Sequence, residues 1–119
     1  MSLEKHKQLR DRTKDFALRI VRMSEAMPNT KGANVIGNQI LRSATGMAAN
    51  YRAVGRARSK AEFIAKIGVV LEEVDETVFW LEMLSDTGIL KPAKLRDLLT
   101  EANELVAIFS ASRRTARDD

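Results

Sequence analysis

Carboxylates on two successive segments of the chain have a spacing that could hold a divalent cation. Glu72, Glu73 and Glu76 lie in one segment, and Glu101 and Glu104 lie in the next. On a helix, spacings of three and four residues place side chains on one face, where carboxylates can bind Mg²⁺ and, through it, a phosphate group. The ordinary alternative for a charged helix is that these carboxylates are solvated or take part in an interface.

The spacing is similar to the EExxE…ExxD pattern of the all-α nucleotide pyrophosphatases, in which carboxylates hold Mg²⁺ against a triphosphate. The similarity fails at the last position, where this chain has Glu104 in place of Asp. Glu73 and Glu76 also fall on the side of their helix that faces away from the predicted core. A Mg²⁺-dependent pyrophosphatase is therefore the weakest of the functions that we consider.

A group of five cations is the strongest positive feature of the sequence. No acidic residue occurs between Lys31 and Glu62, and small residues separate the cations, so a phosphate backbone or another helix could approach closely. We predict nucleic-acid binding here, and the alternative is a solvated basic face that forms salt bridges between subunits. The cations are Arg42, Arg52 and Arg56 on one face of the second predicted helix, followed by Arg58 and Lys60.

Several other kinds of chemistry lack the residues that they need. The chain has no cysteine, which excludes disulfides, thiolate metal sites and cysteine nucleophiles. His6 is the only histidine, so the two Glu-x-x-His pairs of a ferritin-type di-iron bundle are excluded. We expect His6 to be solvated on a frayed first turn. No catalytic residue and no cofactor is predicted.

Length and composition favour one globular domain that spans residues 1–119. The chain is 45% hydrophobic and 30% charged, and it has neither a membrane-spanning run nor an apolar leader, so we expect a soluble, cytoplasmic protein. The net charge of +4 is unevenly distributed, with +8 on residues 1–58 and −4 on residues 59–119. Opposite charge on the two halves suggests either an acidic partner or head-to-tail packing of copies of the chain.

The positions of Pro, Gly and capping residues predict four helices. Thr30 suits a helix N-cap, Ser59 and Glu62 fit a capping box, and Pro92 suits a first helical turn. Apolar residues recur at helical spacing, and no segment shows the period-two alternation of a strand. We predict an all-α, antiparallel up-down-up-down four-helix bundle. Its helices span residues 4–27, 31–54, 60–85 and 92–114.

The third predicted helix is too apolar for a helix that buries only one face. Its core stripe is predicted to include Phe63, Ile67, Val70, Val74, Val78 and Leu81. A second group lies roughly opposite and resembles the apolar centre and charged rim of a protein interface, which predicts self-association. The alternative is that these apolar residues are scattered on the surface. The predicted interface consists of Val69, Glu72, Glu76, Phe79, Trp80 and Met83.

Three stretches of the chain resemble the bacterial four helix bundle protein family, also known as the 23S rRNA intervening-sequence proteins or S23 ribosomal-protein-like proteins. The family pattern has Arg-Ser in the second helix, Ala-Asn one or two turns later, Ser-Lys/Arg-x-Glu-Phe at the start of the third helix, and then Glu-Glu…Trp-Leu. The resemblance covers about Asp15 to Ala116. The matching stretches are Gln39–Ala53, Arg56–Phe63 and Glu72–Leu84.

The resemblance implies an antiparallel bundle that assembles as a ring-like homopentamer. Some members are encoded in sequences inserted into 23S rRNA genes. A related bundle, the accessory variability protein of diversity-generating retroelements, binds nucleic acid and a reverse transcriptase through basic surfaces. Ser43 and Asn50 match the family pattern, and we expect them to form a buried hydrogen-bonded pair.

Together these features predict a non-enzymatic, oligomeric helical bundle whose basic residues contact an RNA or DNA backbone. The alternative is a structural scaffold that associates only with itself or with a protein partner.

Overall fold

Polar side chains mark where three of the four helices begin. The hydroxyls of Ser2, Thr30 and Ser59 each accept a hydrogen bond from a backbone N–H three residues later. These bonds satisfy donors that have no partner inside the helix. The computed structural model describes residues 2–119. Its helices are α1 (Leu3–Glu25), α2 (Lys31–Val54), α3 (Lys60–Asp86) and α4 (Pro92–Asp118).

The helix ends follow the predicted positions closely, with two differences. Helix α1 stops at Glu25, two residues before the predicted end, because a residue next to Pro28 avoids the helical conformation. Helix α4 continues four residues beyond the predicted end, since neither Pro nor Gly interrupts Arg113–Asp118. Gly88 adopts a φ of +74°, a left-handed conformation that suits a helix stop.

Only half of the predicted capping box forms at the start of α3. The Ser59 hydroxyl accepts a hydrogen bond from the backbone N–H of Glu62 at 3.0 Å, as predicted. The Glu62 carboxylate lies instead beside the cations of Arg58, at 3.5 Å, and Lys66, at 4.0 Å.

The core consists of one apolar stripe from each helix. On α2 the apolar residues at helical spacing are all buried, namely Ile36, Ile40, Ala44, Met47, Tyr51 and Val54. On α3 the prediction was partly wrong, because Phe63 and Val78 are only half-buried while Thr77 and Leu84 are buried. Leu84 belongs to the same stripe, one turn beyond its predicted end. The buried hydroxyl of Thr77 is accommodated by hydrogen bonds.

The helices form the predicted all-α bundle. Each helix packs against the next one in the chain, and α1 and α4 meet along the seam with the fewest close approaches. The molecule measures 46 × 21 × 20 Å. Because the helices alternate in direction, the start of α1, the end of α2, the start of α3 and the end of α4 lie together. None of these helices in residues 2–119 combines the length and apolar character needed to cross a bilayer.

Candidate nucleic-acid interface

Most of the predicted basic residues are free and exposed. Arg52, Arg56 and Lys60 are exposed at the end of α2 and the start of α3. Within residues 2–119 none of these three takes part in an ion pair. Arg58 lies between them and is 88% exposed, with a single contact of 3.5 Å to Glu62. These four cations can reach an anionic ligand without first losing a buried partner.

Arg42 does not belong to the same surface, so the prediction of a continuous strip along α2 was wrong. It lies near the middle of the bundle, where its guanidinium bonds to Glu76 and lies 3.8 Å from Glu73. Gln39 accepts a further hydrogen bond from it at 3.3 Å. Arg42 therefore joins α2 to α3 within the subunit, and the carboxylates that it contacts are not left free for a neighbour.

The fold brings further cations from α1 and α4 to the same end of the molecule. Contacts across this end establish the grouping: the His6 ring lies against Gly55, and the Arg113 guanidinium lies against Gly68. Lys5 and Lys60 line one shared groove. We call this surface the basic end. Its cations are Lys5, Lys7, Arg10, Arg52, Arg56, Arg58, Lys60, Arg113, Arg114 and Arg117.

Of these ten cations, only Arg58 forms an ion pair within residues 2–119. Like-charged groups that stay unpaired at one end of a small protein create a positive potential that attracts polyanions. The predicted basic group came only from the second helix and the connection that follows it, so the cations of α1 and α4 were missed. The alternating direction of the predicted helices was the signal that could have placed these cations together.

His6 is partly buried at the centre of the basic end, so the expectation of a solvated imidazole was wrong. Its ring stacks on Tyr51 with centroids 5.0 Å apart, and Tyr51 in turn contacts Phe109 at 5.2 Å. The Nδ1 atom of His6 is buried without a hydrogen-bond partner. Burial, assisted by the charge of Arg10, lowers the pKa of His6, so its ring is neutral at physiological pH.

Tyr51 is fully buried, and burial raises its pKa to about 12. Its ring is therefore not available for stacking on a base. The arrangement of the basic end suits contact with phosphates, and it has no aromatic platform at Tyr51 for reading sequence.

The carboxylates that resemble a pyrophosphatase site lie on two different seams. Glu73 and Glu76 face α2, where Arg42 contacts them. Glu101 and Glu104 face α1, where Arg12 holds the first with two hydrogen bonds of 2.7 Å and the second with one of 2.8 Å.

In an α1-α2-α3-α4 ring of helices these seams are on opposite sides of the bundle. Within residues 2–119 no three acidic or histidine side chains converge closely enough to hold a metal ion. These four carboxylates therefore do not come together at one place in the subunit.

Glu73 illustrates how tightly the seam between α2 and α3 is packed. One of its carboxylate oxygens is buried without a hydrogen bond. Burial raises the pKa of Glu73, and the charge of Arg42 opposes that rise. Gly46 on α2 provides the space, since a Cβ there would lie only 3.2 Å from the same oxygen.

The predicted hydrogen bond between Ser43 and Asn50 does not form. Ser43 is buried and accepts a hydrogen bond of 2.8 Å from Thr77 on α3, while its own hydroxyl lies 3.3 Å from the carbonyl oxygen of Ile40. Asn50 is half-buried about two turns further along α2. Ser43 therefore helps to join two helices and is not available to a ligand.

The predicted interface residues form a mixed surface on α3. Phe79 is 50% exposed and Val69 is 43% exposed, while Trp80 and Met83 are half-buried against the core. The rings of Phe79 and Trp80 meet edge to face at 4.8 Å, and the indole N–H donates to Glu76 at 3.3 Å. Glu72 is exposed, whereas Glu76 already has two partners in its own chain.

A groove of about 680 Å³ runs between α1 and α4 at the basic end. Leu9, Phe63, Ile108 and Ala111 contribute apolar surface to it, and Lys5 and Lys60 stand at its edge. This groove could not be predicted from the sequence. Its presence depends on how far α1 and α4 separate at the end where both chain termini lie.

The comparison with family models gives one match, to the 23S rRNA-intervening sequence protein family over residues 5–111. The chain belongs to this family. The match covers nearly the whole bundle and confirms the family resemblance that the sequence analysis identified.

A solved structure supports the same assignment. The chain is 31% identical to a protein of unknown function from the S23 ribosomal protein family of Bacteroides thetaiotaomicron, with a TM-score of 0.84. The alignment covers 92% of this chain and 98% of that chain. No curated protein matches the chain. Neither the family nor the similar structure indicates a catalytic activity.

Proposed function

We propose that this protein binds the phosphate backbone of nucleic acid through its basic end. The observation that carries the proposal is the gathering of ten cations from all four helices, nine of them without an ion pair within residues 2–119. Binding releases the counterions condensed on the nucleic acid, and this release favours the complex without reading the base sequence. The family description refers to an intervening sequence of 23S rRNA, so RNA is the first probe to test.

The test reverses charge at the basic end without touching the core. Arg52 and Arg56 are exposed, and their replacement in Arg52→Glu/Arg56→Glu removes two phosphate contacts and adds repulsion. Fluorescence anisotropy with labelled single-stranded RNA and duplex DNA should show binding weakened about tenfold or more. The slope of log affinity against log salt should decrease by about 0.7 to 0.9 for each lost contact.

A matched control separates this site from net charge alone. Lys91 and Lys94 are exposed at the opposite end of the bundle, and Lys91→Glu/Lys94→Glu changes the net charge by the same amount. We expect this variant to bind nearly as well as the parent. Equal weakening in both variants would mean that overall charge, and not the basic end, determines binding. A parent protein with no affinity at low salt would exclude the proposal.

A second candidate function is self-assembly into a scaffold. It is favoured by the exposed ring of Phe79, which lies beside the half-buried ring of Trp80, since exposed large apolar side chains often mark an interface. The family resemblance implies a homopentamer. In this candidate, assembly places several copies of the bundle beside one another, and nucleic-acid binding is not needed.

Phe79→Ser is the appropriate test of self-assembly. Trp80→Ala also removes contacts with the subunit's own core, because Trp80 is packed against it, so a change in assembly could then reflect unfolding. Phe79 is half-exposed and its loss should leave the helix content unchanged. We expect sedimentation velocity to show smaller species for Phe79→Ser, while an unchanged sedimentation coefficient would remove Phe79 from the interface.

A further inference from the structure

One side of α3 carries a regular row of exposed and half-buried side chains, which we call the α3 stripe. It consists of Val69, Glu72, Glu76, Phe79 and Met83, separated alternately by three and four residues. This is the spacing with which one helix packs lengthwise against others. Its ends are apolar and its middle is acidic. From Val69 to Met83 the stripe is about 21 Å long at 1.5 Å per residue.

The groove between α1 and α4 has the complementary properties. Its α4 side runs from Ile108 to Asp119, about 16 Å at 1.5 Å per residue, so it is long enough to receive most of the stripe. Small side chains, Ala111, Ser112 and Ala116, line this side, which permits a helix to approach closely. The groove is therefore long enough, and lined by small enough side chains, to receive the side of a helix.

The charges at the groove also complement the stripe. Lys5 on α1 and Lys60 on α3 stand at its edge, and neither has an ion-pair partner within residues 2–119. Arg12 faces it as well but is held by Glu101 and Glu104, and Asp119 lies at its open end. The free cations can thus pair with Glu72, the stripe carboxylate that has no partner in its own chain.

We propose that the groove between α1 and α4 is the receiving surface for the α3 stripe of a second copy of this chain. This inference rests on the proposed self-assembly and specifies which two surfaces meet. The two surfaces differ, so the contact is heterologous and each copy uses both a groove and a stripe. The stripe is centred near the middle of α3, whereas the groove lies at the end of the bundle where α3 begins, so joined copies are staggered along their long axes.

Two single variants and their mixture test the pairing. Ala111→Arg fills the groove and leaves the stripe intact, whereas Phe79→Asp disrupts the stripe and leaves the groove intact. We expect each variant alone to sediment as a monomer while the parent assembles. Mixed in equal amounts, they should form a dimer of twice the 13.3 kDa chain mass, because only one competent groove and stripe remain in each pair.

Asn103→Arg is the matched control, since it adds the same charge at an exposed position of α4 outside the groove and should assemble like the parent. If Ala111→Arg assembles as fully as the parent, the groove is not the receiving surface although self-assembly stands. A monomeric parent would reject both the self-assembly and the pairing of groove and stripe.

A second set of variants is used if Ala111→Arg loses its helical structure. Lys5→Glu/Lys60→Glu changes two exposed side chains, and this variant should be monomeric. Adding Glu72→Lys to it should restore assembly. Failure of that restoration overturns the pairing.

Discussion

At the scale of single residues, the contact between Gly55 and His6 explains why the imidazole is held against Tyr51. A Cβ at position 55 would lie 2.5 Å from the His6 Nε2 atom, closer than the two atoms can approach. Gly55 has a φ of −63°, which any residue adopts, so the glycine is required by space and not by backbone conformation. The missing side chain at position 55 allows the first turn of α1 to fold over the end of α2.

Gly55→Ala should therefore displace His6 from its stacked position. With less burial, the lowered pKa of His6 should rise towards 6.5, the value for an unperturbed imidazole. An NMR titration of the His6 ring protons measures this change directly. Gly32→Ala is the control, because a Cβ there meets Ile89 at an ordinary 3.8 Å and lies far from His6. An unchanged His6 titration in Gly55→Ala would contradict the steric explanation.

At the scale of helices, one charged cluster joins α1 to α4. Arg12 donates two hydrogen bonds to Glu101 and one to Glu104, all between 2.7 and 2.8 Å. Planar guanidinium groups match carboxylates in this bidentate geometry, which makes the pair stronger than an ordinary surface ion pair. The cluster spans the seam where the two helices otherwise approach each other least.

This cluster predicts a dependence of stability on acid pH. The hydrogen bonds from Arg12 lower the pKa of Glu101 in the folded protein, so the unfolded chain binds a proton first as the pH falls. The stabilisation is complete above the unfolded value near 4.5 and is lost as the pH falls through the lower folded pKa. Glu101→Gln should lower the free energy of unfolding at neutral pH by about 1 kcal/mol.

Urea denaturation at a series of pH values measures both effects. The difference in unfolding free energy between the parent and Glu101→Gln should shrink as the pH falls below the ordinary carboxylate range. Asp97→Gln is a suitable comparison, since Asp97 is exposed on α4 and forms no ion pair within residues 2–119. If the difference in unfolding free energy stays constant with pH, the contact with Arg12 does not lower the pKa of Glu101.

The helices themselves were predictable because local signals agree with one another. Thr30, Ser59, Gly88 and Pro92 each act on the backbone nearby, and apolar spacing identifies the face that turns inward. Pairings between helices were not predictable in the same way. The sequence places Ser43 about two turns from Asn50, but only the register of α2 against α3 brings Thr77 next to Ser43.

At the scale of the whole molecule, positive and negative charges occupy different positions along the length of the bundle. This arrangement does not follow the two halves of the sequence. The middle sections of α3 and α4, residues 68–77 and 99–107, contain six carboxylates and no cation. Ten of the twenty Lys and Arg residues collect at the basic end instead. The sequence reveals the opposite charge of its halves, but the antiparallel packing of the helices decides which cations become neighbours.

The candidate site was therefore predicted only in part. Arg52, Arg56, Arg58 and Lys60 lie at the basic end because they surround one connection between helices, and such local grouping is visible in a sequence. Arg42 was misplaced, because its spacing on α2 gives no information about the carboxylates of α3 that lie beside it. Whether a cation is free or paired depends on the neighbouring helix.

The indole of Trp80 also provides an optical probe of the molecule. It is the only tryptophan, so its fluorescence comes from a single place, the side of α3 next to Phe79 and Glu76. Emission from a half-exposed indole moves to shorter wavelength when water is removed from its surroundings. The wavelength of maximum emission in a dilution series of the unlabelled protein can therefore follow assembly. Nucleic acid bound at the distant basic end should leave that emission unchanged.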